Sequence, residues 1–304
     1  MITSMLLQSV VFLVILRVRI SICWPIVNGI VPRATDQFKF AVSLQHANQA
    51  SGLSHFCGGT YIGNGWIVTA NHCVVGFEIG TIYAFVGGLS LNKSSHNHLY
   101  LVEEKISHPD YNRISLAGDI ALLRLESWND SFHVLDDTIE ETLSLPSKAL
   151  TGEYNSHVLN LIGDSGQEKE ATEDEFGSEE CLIYGYGSAT FYGAGSDDLQ
   201  FGPVQPLGHK DCTDMLGPVV APSRADSGMF CAIGYADACR GDSGGGLVCR
   251  PRLSTPWEMS LERNSSYILR GIISYGAGCG VPASPEVYTD VGFYWNWINE
   301  IISG

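Results

Sequence analysis

Short apolar runs separated by turn-forming residues are the feature that most constrains how this chain can fold. The runs end at Gly, Pro, Asn or Ser and recur at residues 40–44, 66–70, 82–86, 120–125, 181–184, 246–249, 268–274 and 286–291. Runs of this length are typical of β-strands, and helices of the size that βαβ units need do not separate them. We therefore expect an all-β sandwich or barrel, with helical spacing only in residues 293–302.

Composition narrows the class of protein. With 304 residues the chain is long enough for one large β unit or for two domains. Its net charge of −16 argues against a nucleic-acid partner, because such a surface repels polyanions. Nine cysteines without metal-type Cys-x-x-Cys pairs indicate disulfides and an oxidising compartment. Three Asn-x-Ser sequons, which are glycosylation candidates, agree with secretion: Asn92, Asn129 and Asn264.

The N-terminal residues resemble a targeting segment. Residues 5–16 form an apolar run that is long enough for a signal-peptide core and short for a membrane span. Because Arg17 and Arg19 follow the run instead of preceding it, a retained signal anchor stays open as an alternative. Small residues at Ser21 and Cys23 predict cleavage after residue 23. We expect a signal peptide at 1–23, a short pro-segment at 24–25, one folded domain at 26–304, and a secreted, extracellular product with no stable membrane span.

Two polar segments interrupt the strand pattern. Residues 163–180 carry eight acidic side chains against the single base Lys169. We interpret this acidic insertion as a solvated loop, with an exosite for basic macromolecular substrates as the alternative. Residues 250–264 form a second, Pro-containing polar insertion between two apolar runs.

The candidate chemistry centres on the glycine-rich sequence from Gly241 to Gly246, which contains Ser243. A serine hydroxyl acts as a nucleophile only when a base takes its proton and nearby donors hold the developing charge. His72 ends an apolar run as a candidate base, and Asp119 opens another as a candidate partner for that base. Along the chain the three residues follow the order His, Asp, Ser.

This order and the motifs around it resemble the trypsin/chymotrypsin family of serine peptidases. The supporting motifs are Ile26-Val27-Asn28-Gly29, Cys57-Gly58-Gly59, Gly185-Tyr186-Gly187, Ser274-Tyr275-Gly276 and Val287-Tyr288-Thr289. The resemblance implies two six-stranded antiparallel β-barrels of the chymotrypsin-like fold, with the active site between them and a short C-terminal helix. It also implies the disulfides Cys57–Cys73, Cys181–Cys249, Cys212–Cys231 and Cys239–Cys279, which leave Cys23 to depart with the signal peptide.

Catalytic roles follow from the same resemblance. Ser243 attacks the scissile carbonyl, His72 takes and returns the proton, and Asp119 holds the correct tautomer of His72. The backbone N–H groups of Gly241 and Ser243 form the oxyanion hole. We expect no cofactor and no metal, since His96 and His98 have no third ligand in the sequence.

Activation in this family pairs a freed α-amine with the acid before the nucleophile. Here these groups are Ile26 and Asp242. The family norm of Arg or Lys before the new terminus is replaced by Pro25, so a trypsin-like activator would not cut there. A signal peptidase that leaves Trp24-Pro25-Ile26 would allow an Xaa-Pro dipeptidase to expose Ile26 directly.

Specificity depends on the substrate-binding residues that the resemblance assigns: Asp237, Arg240, Ser274, Gly276 and Glu286. Asp237 lies where trypsin-like members carry the acid of the pocket base, which favours Arg or Lys substrates. Glu286 replaces a glycine of trypsin itself. It is open whether Glu286 adds a second anion, obstructs the pocket, shares a proton with Asp237, pairs with Arg240 or faces outward.

The sequence thus predicts a secreted serine endopeptidase that cleaves after Arg or Lys. Its expected partners are protein or peptide substrates and protein inhibitors, and we expect a monomer. Two alternatives remain: an active peptidase with non-basic specificity because of Glu286, and a catalytically silent, protease-like extracellular binding protein. A silent relative usually lacks a triad residue or the oxyanion glycine, and the sequence retains both.

Overall fold

The structure is a computed structural model, and it describes most of the chain after residue 25. The described residues are 26–33, 38–48, 52–93, 98–126, 143–145, 179–188, 190, 192–222, 224, 226–251, 267–281 and 283–304. The predicted signal peptide and pro-segment, the sequons at Asn129 and Asn264, His96 and residues 163–178 and 252–264 of the two insertions lie outside these ranges.

The first half of the described chain forms a closed six-stranded barrel. Its strands are β1 (Ala41–Asn48), β2 (Gly52–Gly63), β3 (Trp66–Thr69), β4 (Ile82–Val86), β5 (Leu99–Ser107) and β6 (Ala121–Leu125). All neighbours are antiparallel in the order β1-β2-β3-β6-β5-β4, and pairing of β4 with β1 closes the barrel. The apolar runs of the sequence supply the buried faces, as the strands around Val68 and Leu122 illustrate.

The second half forms another six-stranded antiparallel barrel. Its strands are β8 (Glu179–Gly185), β9 (Gln200–Leu207), β10 (Met229–Gly234), β11 (Gly246–Pro251), β12 (Tyr267–Gly276) and β13 (Glu286–Asp290). They follow the order β11-β8-β9-β10-β13-β12, and pairing of β11 with β12 closes the ring. The predicted pair of chymotrypsin-like barrels is therefore confirmed. A further strand, β7 (Leu143–Ser144), adds a parallel two-residue pairing to β12.

Helices are few within the described residues. They are α1 (Asn71–Val74), a 3₁₀ turn at Leu91–Lys93, α2 (His209–Leu216) and α3 (Trp295–Ser303). The predicted C-terminal helix is α3, which buries Ile298 and packs Ile301 and Ile302 against the core. None of the helices in the described ranges has the length and apolarity that crossing a membrane requires.

Aromatic side chains join the two barrels. Tyr184 of β8 packs against Phe40, just before β1, with ring centroids 5.4 Å apart, and against Phe38 at 5.5 Å. The Tyr184 hydroxyl also shares a 2.6 Å hydrogen bond with Thr60 of β2. All four residues are fully or almost fully buried, so this contact fixes the barrels against each other where the site is built.

All four disulfides that the family resemblance implies are present: Cys57–Cys73, Cys181–Cys249, Cys212–Cys231 and Cys239–Cys279. The predicted insertion boundaries need correction. Glu179 and Glu180 belong to β8, where they pair with Arg270 at 3.1 Å and with Arg250 at 2.8 Å. Arg250 itself lies in β11, so the acids and the base at these ends are strand residues that neutralise one another across the sheet.

Candidate active site

His72 and Asp119 meet because the strands that carry them are neighbours. His72 lies in α1, just after β3, and Asp119 lies two residues before β6; Thr69 of β3 pairs with Ala121 of β6. The Nδ1 atom of His72 lies 2.7 Å from Oδ2 of Asp119, and the backbone N–H of His72 donates to Oδ1 at 2.8 Å. With Nδ1–H directed to a carboxylate, the neutral ring presents Nε2 as a proton acceptor.

Asp119 receives a third hydrogen bond from the second barrel. The hydroxyl of Ser274 in β12 donates to Oδ2 at 2.5 Å, and Asp119 is fully buried. Three donors offset the desolvation of this carboxylate. Ser274 was expected among the substrate-binding residues; it is 4 % exposed, and its hydroxyl is the group that bonds to Asp119.

Ser243 approaches this pair from a turn of the second barrel. Its backbone carbonyl accepts a 2.8 Å hydrogen bond from the N–H of Gly58, and Sγ of Cys73 lies 3.5 Å from the same oxygen. Because Cys73 follows His72 and is bridged to Cys57, the disulfide flanks both residues. Ser243 is half-buried, so this candidate nucleophile is accessible to solvent.

The turn before Ser243 is held by a histidine that the sequence reasoning missed. Gly241 has a φ of 97°, and its carbonyl accepts a 3.0 Å hydrogen bond from Nε2 of His55. Since a carbonyl only accepts, Nε2 carries the proton, and Nδ1 accepts from the Ser43 hydroxyl at 2.8 Å. Burial lowers the pKa of His55 to about 4, against the opposing effect of the Gly241 carbonyl, so the ring is neutral.

The predicted activation residues are both buried. Ile26 is fully buried in an apolar cluster with Ala236 and Ala238, and Val27 bridges to the backbone of Asp237 at 2.8 Å. Asp242 is also fully buried, and its two oxygens accept from the N–H groups of Gly187 and Cys239 at 2.8 and 3.0 Å. Burial raises the pKa of Asp242 to about 7, although these donors oppose it.

Two carboxyl groups meet at the predicted pocket base. Asp237 is partly buried and shares a hydrogen bond with Glu286, which is 8 % exposed. Glu286 therefore faces inward, and the outward-facing interpretation is wrong. Gly276 lies close to Glu286: a Cβ at position 276 would be 3.2 Å from Cγ of Glu286. Arg240 is exposed, and its carbonyl accepts from the N–H of Ser188 at 2.8 Å.

Comparison with known proteins identifies the family of this fold. The family model described as Trypsin matches residues 26–298. This chain belongs to the trypsin family. It is 31% identical over 255 residues to human putative trypsin-6, covering 82% of this chain and 81% of that protein. It is 32% identical over 251 residues to bovine coagulation factor XII, covering 81% of this chain and 36% of that longer protein.

Other potential ligand groups in this trypsin-family chain have structural roles. Two clusters of candidate metal ligands occur within the described residues, around Cys73 and around Cys181. Their cysteines form disulfides, so these sulfurs are not available as thiolate ligands. His98 bonds the carbonyl of Val86 through Nδ1 at 3.0 Å. The sequon residue Asn92 is exposed and donates to the carboxylate of Asp197.

Proposed function

We propose that this chain is a secreted serine endopeptidase that cleaves peptide bonds after Arg or Lys. The observation that carries the proposal is the buried Asp119 carboxylate. It orients His72 through two hydrogen bonds and receives a third from the opposite barrel, in a chain whose Ser243 turn packs beside His72. Such an arrangement has no evident structural purpose, because a buried carboxylate is costly and an apolar residue would pack there more cheaply.

The reaction proceeds through an acyl-enzyme. Ser243 Oγ attacks the scissile carbonyl carbon while Nε2 of His72 takes its proton. The oxyanion is held by the N–H groups of Gly241 and Ser243, and His72 then protonates the leaving amine as the C–N bond breaks. Water then attacks the acyl-enzyme ester while His72 takes a proton from the water. The acid product leaves, and His72 returns the proton to Ser243. Asp119 stabilises the imidazolium that forms at both stages.

Activation requires a cation for Asp242. Burial raises the pKa of this carboxyl, and its two backbone N–H donors offset that effect only in part. A free α-amine at Ile26 supplies that cation and holds the carboxylate ionised, which orders the adjacent Gly241 turn. The complete burial of Ile26 supports this role. We propose that removal of residues 1–23 and then of Trp24-Pro25 exposes Ile26, and N-terminal sequencing of the native protein reads this start directly.

Basic specificity follows from Asp237. A partly buried carboxylate whose backbone is anchored to Val27 offers a fixed partner for a guanidinium or ammonium group. The four disulfides fit an extracellular location.

A panel of peptide substrates tests the proposal. With the chain starting at Ile26, Arg and Lys substrates should be hydrolysed at least about a hundredfold faster than Phe or Ala substrates, measured as kcat/KM. The Ser243→Ala variant is the control and should lose about 10⁴-fold or more of this activity. A preference for Phe or Ala would contradict the basic specificity, and turnover retained by Ser243→Ala would contradict the mechanism.

A further inference from the structure

Glu286 places a second carboxyl group beneath the specificity pocket. It begins β13, where it pairs with Ala232 of β10 and Gly276 of β12, and it is 8 % exposed. Its Oε2 atom accepts two hydrogen bonds of 3.0 Å, from the N–H of Ala238 and from the hydroxyl of Tyr288. One oxygen is thus fully engaged as an acceptor.

Glu286 also shares a hydrogen bond with Asp237, and such a bond between two carboxyl groups needs a proton. Asp237 already accepts from the backbone N–H groups of Gly280 and Val281, which favours its ionised form. Burial raises the pKa of Glu286 well above its ordinary value, and the charge of Asp237 and their shared hydrogen bond raise it further. The proton therefore belongs on Glu286, which donates to Asp237.

Two other titratable groups, Tyr288 and Asp242, interact with the pair. Tyr288 donates to Glu286, and burial and the nearby carboxyls raise its pKa well above the ordinary value, so it stays neutral. Asp242 interacts electrostatically with Asp237. The bonds from Tyr288 and Ala238 favour the ionised form of Glu286, but burial and the charge of Asp237 outweigh them and keep its pKa high.

We propose that Glu286 is a neutral carboxylic acid that orients Asp237 through a shared proton, so that the pocket base carries one negative charge and recognises one substrate cation. Glu286 is then a positioning residue for specificity. This inference rests on the proposed function, because it takes Asp237 as the group that meets the substrate side chain.

A proton-linked pocket follows from this arrangement. A cation bound at Asp237 lowers the pKa of Glu286, so by linkage the affinity for the cation rises as pH increases and the shared proton leaves. While binding releases one proton, the affinity for the cation rises by at most about tenfold for each pH unit. A pocket with a single, already ionised aspartate has no such dependence at neutral pH.

Benzamidine binding, measured by calorimetry on the chain starting at Ile26, tests the inference. The measurement is made in the Ser243→Ala background, so that it does not depend on turnover. Glu286→Gln is the matched variant, because its amide donates to Asp237 and its carbonyl still accepts from Ala238 and Tyr288. At about pH 5 it should bind within about threefold of the parent. By about pH 9 the parent should bind at least about tenfold more tightly, with proton release that only the parent shows.

Three outcomes would overturn the inference. If Glu286→Gln binds benzamidine about tenfold more weakly than the parent already at pH 5, Glu286 is an ionised second anion. Binding curves of the two proteins that stay parallel up to pH 9 exclude a shared proton, because only the parent has an ionisable group at position 286. A parent that binds no benzamidine, while a fluorophosphonate still labels Ser243 in the unmutated protein, rejects the pocket and leaves the peptidase chemistry intact. If benzamidine binding releases a proton but a fluorophosphonate does not label Ser243, the shared proton of Asp237 and Glu286 is supported and the peptidase activity is rejected.

Discussion

Two fully buried aspartates in this chain are stabilised in different ways. Asp119 receives three donors, one of them from a histidine ring that takes up positive charge when it is protonated. Asp242 receives two backbone N–H groups, and burial raises its pKa to about 7. The donors of the folded chain stabilise the Asp119 carboxylate, whereas we propose that the α-amine of a chain starting at Ile26 stabilises the Asp242 carboxylate.

The pKa of Asp242 predicts how the uncleaved chain responds to pH. The folded state keeps a proton that the unfolded state loses at about pH 4, so the free energy of unfolding should fall as pH rises from about 4 to about 7. The group contributes up to about 4 kcal/mol to this fall. Urea unfolding of the uncleaved protein across this range measures it.

Asp242→Asn is the control for this measurement, because an amide does not titrate. Asp237, Glu286 and Asp290 also have raised pKa values and titrate in both proteins, so the difference between the two curves reports Asp242 together with its electrostatic interaction with Asp237. A fall of equal size in the variant would show that Asp242 is already ionised before Ile26 is free.

At the residue scale, the sequence was informative where a motif carries the chemistry. Local motifs in a fixed order pointed to His72, Asp119 and Ser243, and the structure places His72 against Asp119 and the Ser243 carbonyl beside Cys73. His55 was not predictable, because its role arises only when β2 approaches a turn 186 positions away. A single histidine two residues before Cys57 carries no local signal of that contact.

At the element scale, the glycines after Ser243 allow β11 to approach the first barrel. A Cβ on Gly246 would lie 2.4 Å from the hydroxyl of Tyr184 and 2.8 Å from Oγ1 of Thr60. These two hydroxyls form the buried hydrogen bond that joins the barrels. The sequence shows only that a third glycine stands at position 246, and the packed structure explains why a small residue is needed there.

We predict that Gly246→Ala destabilises the protein by about 1–3 kcal/mol, because the methyl group must displace Tyr184 or Thr60. Urea unfolding with the disulfides intact measures the change. Gly76→Ala is the matched control, since a Cβ there meets nothing within 4 Å. Equal stability of Gly246→Ala and the parent, or an equal loss in both variants, would contradict this packing.

Several strands, including the 12-residue β2, fall outside the apolar runs identified in the sequence. The apolar runs gave the positions of most barrel strands, whereas β7 contains two residues and has no periodicity to detect. The acidic composition around residue 179 suggested a loop, yet Glu179 and Glu180 continue β8 because Arg270 and Arg250 lie opposite them. Charge pairing across a sheet is a non-local property, so composition alone misplaced this boundary.

At the scale of the whole molecule, both barrels contribute to the candidate site. The first half of the chain provides His72 and Asp119, and the second provides Ser243, Ser274 and the two carboxyl groups of the proposed pocket. Hydrogen bonds join the barrels at the candidate site: the Ser274 hydroxyl donates to Asp119, the Gly58 N–H donates to the Ser243 carbonyl, and His55 donates to the Gly241 carbonyl. Each contact crosses from one barrel to the other, so the account predicts a nucleophile that is active only when both barrels are folded and docked.

Labelling by a fluorophosphonate tests this central claim most directly, because the reaction needs the nucleophile, its base and the oxyanion hole together. With the chain starting at Ile26, we predict one covalent adduct, mapped to Ser243 by peptide mass spectrometry. Ser243→Ala should show none, and His72→Ala should react at least about a thousandfold more slowly. A folded protein that forms no adduct, or forms it equally well without Ser243, would contradict the account.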